Sequence, residues 1–168
     1  MTTDRLVAWG DELRRVHGLL RDSLRIAREA ITNGTDLTDA STTRELLLYC
    51  RGFCVAITGH HRGEGNAMFP LIVAERPELA PVIDELVRDH NMIDHLVGEL
   101  EQALRPEQDT VPDAAELHRH LDGIEAVMET HFRYEERKLV DVLNGIRTED
   151  STGKTGDLTA TDLFGPLT

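Results

Sequence analysis

The residues best suited to chemistry in this chain lie in two short stretches that nearly repeat each other: His60-His61-Arg62-Gly63-Glu64 and His131-Phe132-Arg133-Tyr134-Glu135-Glu136. Each sets a histidine four residues ahead of a glutamate, His60 to Glu64 and His131 to Glu135. In a helix that spacing stacks the two side chains one turn apart on a single face. An imidazole nitrogen and a carboxylate oxygen then converge from one helix onto one cation. Two such pairs on facing helices supply half-sites for two cations.

The elements that must position these pairs are legible as apolar stripes at helical period. Leu6, Leu13, His17, Leu20, Leu24, Ala27 and Ile31 recur in steps of three, four and seven, which predicts a first helix from about Thr3 to Ile31, with Asn33-Gly34 as its stop. Thr42 and Glu45 form a capping box that opens a second helix. Its stripe is Leu46, Cys50, Phe53, Ile57, His60, Glu64, Ala67 and Met68, and Pro70 bends or ends it. A third helix starts near Pro81 and carries Ile83, Leu86, His90, Ile93, Val97, Leu100 and Leu104. Pro112 suits the first turn of a fourth, whose stripe is Leu117, Leu121, Ile124, Met128, His131, Glu135, Leu139 and Val142, with Asn144-Gly145 at its end. Four such helices with modest connections predict an all-α fold, an antiparallel up-down-up-down four-helix bundle over residues 1–147. From Thr148 to Thr168 a polar tail follows, in which the Leu163-Phe164-Gly165-Pro166-Leu167 patch is the part that could dock on the bundle.

Composition agrees with helices. Of the 168 residues, 40% are hydrophobic but only 4% aromatic, so Leu, Val, Ile and Ala must fill the core. The net charge of −13, from 31 acidic and 18 basic residues, repels phosphate backbones and anionic headgroups and argues against nucleic acid and membrane surfaces as partners. No apolar run approaches the ~20 residues a bilayer requires, and the opening Met1-Thr2-Thr3-Asp4 lacks the features of a secretion signal. With only Cys50 and Cys54 present, no disulfide framework is built, and a cytoplasmic location is expected.

Every predicted helix places a histidine on its apolar stripe: His17, His60, His90 and His131. In an antiparallel bundle these fall within roughly 10 Å of one level, together with Glu64 and Glu135. The plain alternative for each His/Glu pair is a surface contact worth a few tenths of a kcal/mol. A carboxylate facing a core is costly unless paired or metal-bound, however, and both glutamates lie on apolar stripes. His61 competes with His60, because it too precedes Glu64 by one turn. It is left as an alternate ligand or as a support to one. Glu136 reads as a solvated group or an outer acceptor, and His95, His118 and His120 as surface residues. Tyr134 reads as a packing residue, and Cys50 and Cys54 as buried structural thiols.

Taken together, Val16-His17 with Leu20-Arg21, His60-His61-Arg62-Gly63-Glu64 with Met68-Phe69-Pro70-Leu71, Asp89-His90-Asn91-Met92-Ile93, and His131 through Glu136 resemble the hemerythrin-like, HHE cation-binding family over about residues 4 to 145. The resemblance implies a four-helix bundle around an oxo- or hydroxo-bridged non-heme di-iron centre. Glu64 and Glu135 would bridge the two irons, and His17, His60, His90 and His131 would be terminal ligands. One position departs from the pattern. Oxygen-carrying hemerythrins have another histidine four residues after that of the third helix, and here that residue is Asp94. Asp94 then either binds metal or leaves a coordination position open to water or substrate.

The resemblance points to a protein that binds or senses O2, NO or peroxide at its iron pair. The alternatives are a di-iron oxidoreductase, catalase-like or ferroxidase-like, an iron-handling protein, and a metal-free interaction bundle. The redox partner is not encoded in any motif.

Overall fold

The computed structural model describes residues 8–33, 40–105, 113–146 and 159–166. Among these the chain is helical throughout, with no strand. Helix α1 runs Trp9–Asn33 and α2 Ala40–Gly63, a π-helical turn spans Glu64–Met68, and α3 covers Phe69–Glu75. A 3₁₀ turn at Pro77–Leu79 leads into α4, Ala80–Ala103; α5 is Ala114–Gly145 and α6 is Ala160–Phe164. Leu6, Pro112 and the start of the tail at Thr148 fall outside the described residues, as does the side chain of Thr42. Helix α2 begins at Ala40, two residues ahead of the expected capping box.

The helices form where the stripes place them. Leu13, Leu20, Leu24, Ala27 and Ile31 of α1 are buried, as are Leu46, Cys50, Phe53 and Ile57 of α2. Ile83, Leu86, Ile93, Val97 and Leu100 of α4 meet Leu117, Leu121, Ile124, Met128 and Leu139 of α5 in the same core. Helix α1 packs along α5 and α2, and α4 packs along α5 with a lighter contact to α2. Each fully buried Leu or Ile contributes about 1.5–3 kcal/mol. Exposed ion pairs such as Arg25–Glu29 at 2.8 Å add little.

Two backbone details bear on the site. Gly10 lets α1 approach α5 closely: its N–H donates to Asn144 Oδ1 at 2.8 Å, and a Cβ there would press on the Val140 carbonyl. Pro70, expected to bend or end the second helix, instead coincides with a wider turn. It has no N–H for the carbonyl of Asn66. The Phe69 N–H reaches back five residues to the Glu64 carbonyl, and the chain then continues as α3. Single π turns of this kind recur at functional sites.

The described part of the chain's end, residues 159–166, lies against the bundle and includes Leu163–Pro166, expected from the sequence as the part that could dock. Leu163 and Phe164 of α6 are fully buried, and α6 packs on α2, on the π turn and on α1. No helix among the described residues is long and apolar enough to cross a membrane.

Candidate metal centre

Helix α1 contributes His17, the last turn of α2 contributes His60 and His61, and Glu64 opens the π turn. His90 comes from α4, and His131 and Glu135 from α5. All seven side chains are buried. The structure gathers them into two adjoining sets, His17, His60, Glu64 and Glu135 in one, and His61, His90 and His131 in the other. Within each set one donor atom per residue lies within 4.8 Å of the others.

The two glutamates connect the sets. Glu64 has Oε1 at 3.0 Å from His60 Nε2 and Oε2 at 3.1 Å from His90 Nε2. Glu135 Oε2 lies 3.3 Å from His17 Nε2 and 3.6 Å from His131 Nε2. These are near approaches rather than hydrogen bonds. Nε2 of His17, His60 and His61 and all four carboxylate oxygens have no hydrogen-bond partner among the described residues. Donor atoms held about 2.1 Å from one cation, at right angles to each other, stand about 3 Å apart. Neighbouring atoms at that spacing, aimed at a shared point instead of at one another, are what a cation site requires. Seven orphaned buried polar atoms would otherwise be a heavy cost to the fold.

The outer nitrogens are held. His17 Nδ1 faces Glu136 Oε1 at 2.8 Å, His61 Nδ1 faces Asp94 Oδ1 at 2.9 Å, and His131 Nδ1 faces Asp89 Oδ2 at 3.4 Å. His60 Nδ1 lies 3.1 Å from the main-chain carbonyl of Phe164. Carbonyls and ionised carboxylates only accept, so each of these four Nδ1 atoms carries a proton, and in the neutral ring the lone pair is left on the inward Nε2. That is the tautomer a ligand imidazole needs, and outer acceptors that fix it are a hallmark of metal sites. Arg21 secures one of them, reaching Glu136 at 3.4 Å and Glu129 at 2.6 Å.

In the metal-free chain the electrostatics are unfavourable. Burial and the neighbouring Glu135 charge push the Glu64 carboxyl well above its ordinary pKa. For Glu135 burial acts upward too, but His17, His131 and His61 outweigh it and hold the group down. Burial, then His17 and His61, drive His60 well below the usual imidazole range, and burial with His61 and His131 does the same to His90. His90 and His131 bring their Nε2 atoms to 3.1 Å. A cation held between these side chains would relieve the strain on Glu64, His60 and His90.

Flat aromatic contacts lock the rings. His17 stacks on Phe132 with centroids 3.8 Å apart, and His61 stacks on His90 at 3.9 Å, with Phe69 behind His90 at 5.3 Å. The structure thus brings together His17, His60, Glu64, His90, His131 and Glu135, and adds His61 as a full member. Asp94 lies outside the cluster, half-exposed, and serves His61. His95 and His120 pair with Glu99 and Glu116 on their own helices, and His118 lies near Thr32. Tyr134 donates to Glu85 at the surface. Cys50 and Cys54 are buried free thiols, which burial raises to about 11 and, with Glu101 adding to it, to about 12.

Comparison with curated proteins and with solved structures returns no match. The family model of the hemerythrin HHE cation binding domain matches residues 10–143, a span that holds all seven converging side chains. The chain therefore belongs to the hemerythrin HHE cation-binding family.

Proposed function

We propose that this protein holds a pair of non-heme iron ions between its helices and binds or senses a small ligand, O2, NO or peroxide, at that pair. The observation that carries the reading is the inward convergence of seven buried His and Glu side chains, five of which, His17, His60, His61, Glu64 and Glu135, have inner atoms without a hydrogen-bond partner among the described residues. In this reading His17 and His60 would hold one ion and His61, His90 and His131 the other, with Glu64 and Glu135, each near histidines of both sets, available to the two. The donor set favours iron. Imidazole and carboxylate without thiolate suit it, and seven residues exceed the four that a structural zinc takes. They also supply fewer donors than two six-coordinate ions accept, so room remains for a small ligand. When bound, the iron pair supplies reversible one-electron chemistry. The chain's own residues hold the imidazoles in register, keep four outer nitrogens protonated and line the layer with Phe132 and Phe69 to limit water.

The place of the expected third-helix histidine is filled differently here. His61 of α2 takes that role, with Asp94 of α4 as its outer acceptor. The same arrangement favours a second reading, redox catalysis such as peroxide decomposition or ferrous oxidation. Asp89 and Asp94 stand half-exposed on the outer nitrogens of His131 and His61, where protons can pass between the site and solvent. An antiparallel up-down-up-down course of α1, α2, α4 and α5 and a cytoplasmic location complete the proposal.

Anaerobic loading with ferrous iron followed by optical titration with O2, NO and hydrogen peroxide tests it. A saturable spectral change with one of these, without sustained turnover, supports binding or sensing, and sustained peroxide consumption above that of free iron supports the catalytic reading. A fully loaded protein silent to all three refutes both.

A further inference from the structure

Of the four outer acceptors, three are side chains of the helices that carry the site. The fourth, on His60, is a main-chain carbonyl from the far end of the chain, and it is held by a purpose-shaped contact. Helix α6 is opened by a capping box: the Thr159 N–H donates to Asp162 Oδ2 at 2.8 Å, and the Asp162 N–H donates to Thr159 Oγ1 at 3.2 Å. That short helix buries Leu163 and Phe164 fully, with the Phe164 ring 6.2 Å from Trp9 of α1. Beyond it Gly165 sits at φ 79°, in the region that favours glycine. A Cβ on Gly165 would run into the carbonyl of Gly59, and a Cβ on Gly63 would run into the backbone nitrogen of Gly165. Pro166 rests on Gly59. Glycines on both sides of the contact let backbone meet backbone, and the product of that approach is the Phe164 carbonyl at His60 Nδ1, 3.1 Å away.

We propose that the C-terminal segment Thr159–Pro166 is a positioning element of the metal centre: by docking on Gly59 and Gly63 it sets the tautomer and orientation of His60, and metal retention depends on that docking. The metal-retention half rests on the reading of His60 as a ligand. The docking couples Thr159–Pro166 to the site, so whatever displaces the segment loosens the metal. Leu163 and Phe164 also join the hydrophobic core, so the docking serves the fold as well as His60, and the test must read the two apart.

The test uses the full-length protein and the variants Gly165→Ala and Gly63→Ala, which obstruct the contact from opposite sides, with Gly52→Ala as control on the same helix, where a Cβ meets open space. In the metal-free proteins, ¹⁵N-detected NMR of the histidines reports which His60 nitrogen is protonated. In the loaded proteins, competition of a chelator for ferrous iron reports affinity. The expected result is an Nδ1-protonated His60 in the native chain and in Gly52→Ala. Both obstructing variants lose that signal and bind ferrous iron about 10- to 100-fold more weakly. A merely structural role would lower the melting temperature and leave both readouts unchanged, which overturns the proposal. If the native chain takes up no iron, the metal reading and metal retention fall together, while a His60 signal that still moves in Gly165→Ala upholds the docking contact. If iron binds equally in all four proteins and the His60 signal does not move, the positioning role falls and the metal centre stands.

Discussion

Replacing Glu64 by glutamine separates the needs of the metal from those of the fold. Glu64 is fully buried, neither of its oxygens is hydrogen-bonded among the described residues, and it faces a second buried carboxylate, Glu135. Glutamine keeps the shape, takes away the ionisable group and offers an N–H to the Nε2 lone pair of His60, 3.0 Å from the present Oε1. An unsatisfied buried polar group costs about 1–3 kcal/mol. Recovering about half of that stabilises the metal-free protein by about 1 kcal/mol, and for a chain of this size its melting temperature rises by about 2–4 °C. The effect on the metal is opposite. At a free metal concentration 100 times Kd, binding adds about 2.7 kcal/mol to stability. If the amide weakens binding about 100-fold, the same concentration adds only about 0.4 kcal/mol. Differential scanning fluorimetry of Glu64→Gln with and without ferrous iron reads both signs in one experiment. A variant that binds iron as tightly as the native chain, or whose metal-free form melts well below native, refutes the view that these carboxylates are held for a cation.

Other perturbations act on single links of the same construction. Asp94→Ala removes the acceptor on His61 Nδ1 and should weaken ferrous iron binding about 10- to 100-fold in a chelator competition, with the melting temperature of the metal-free protein nearly unchanged. Equal affinity would take His61 out of the ligand set. Phe132→Ala removes a fully buried ring stacked on His17 and should cost about 3–5 kcal/mol in urea unfolding; a loss under about 1 kcal/mol would mean that the layer collapses onto the gap. Cys50 and Cys54 should resist a thiol reagent at pH 8 in the native state, because burial raises them to about 11 and about 12. Their folded pKa values lie above the unfolded value of 9.0, so the stability they contribute is full below pH 9 and declines as pH climbs through about 11 and 12. Rapid labelling of the native protein at pH 8 would contradict this.

The helices were legible because each stripe is nearly pure. From Leu13 to Ile31 on α1 and from Leu117 to Leu139 on α5, the apolar positions at helical period are the buried ones. His17, His60, His90 and His131 stood out because they interrupt those stripes with groups that only a partner could justify. His61 and Phe132 were harder to place, for one shared reason. Each follows a stripe histidine, and one residue turns a helix face by about 100°. A stripe read as a single face assigns such a neighbour to the flank. At the level of the site, however, α2 faces both α1 and α4, so His60 meets His17 while His61 stacks on His90. Likewise His131 turns toward His90, and Phe132 toward His17. The adjacent pairs His60-His61 and His131-Phe132 carried that signal. The wider turn at Glu64–Met68 had only Pro70 as its trace, since periodicity says little about which carbonyl a displaced N–H will choose. The role of Phe164 was hidden because it acts through a main-chain carbonyl, which any residue type provides.

Iron content per chain, measured by elemental analysis on untagged protein after anaerobic reconstitution and desalting, bears most directly on the paired metal centre. About two irons per chain, falling below one in Glu135→Ala, is the predicted result. One ion per chain, or none, or the same content in Glu135→Ala as in the native chain, would contradict it.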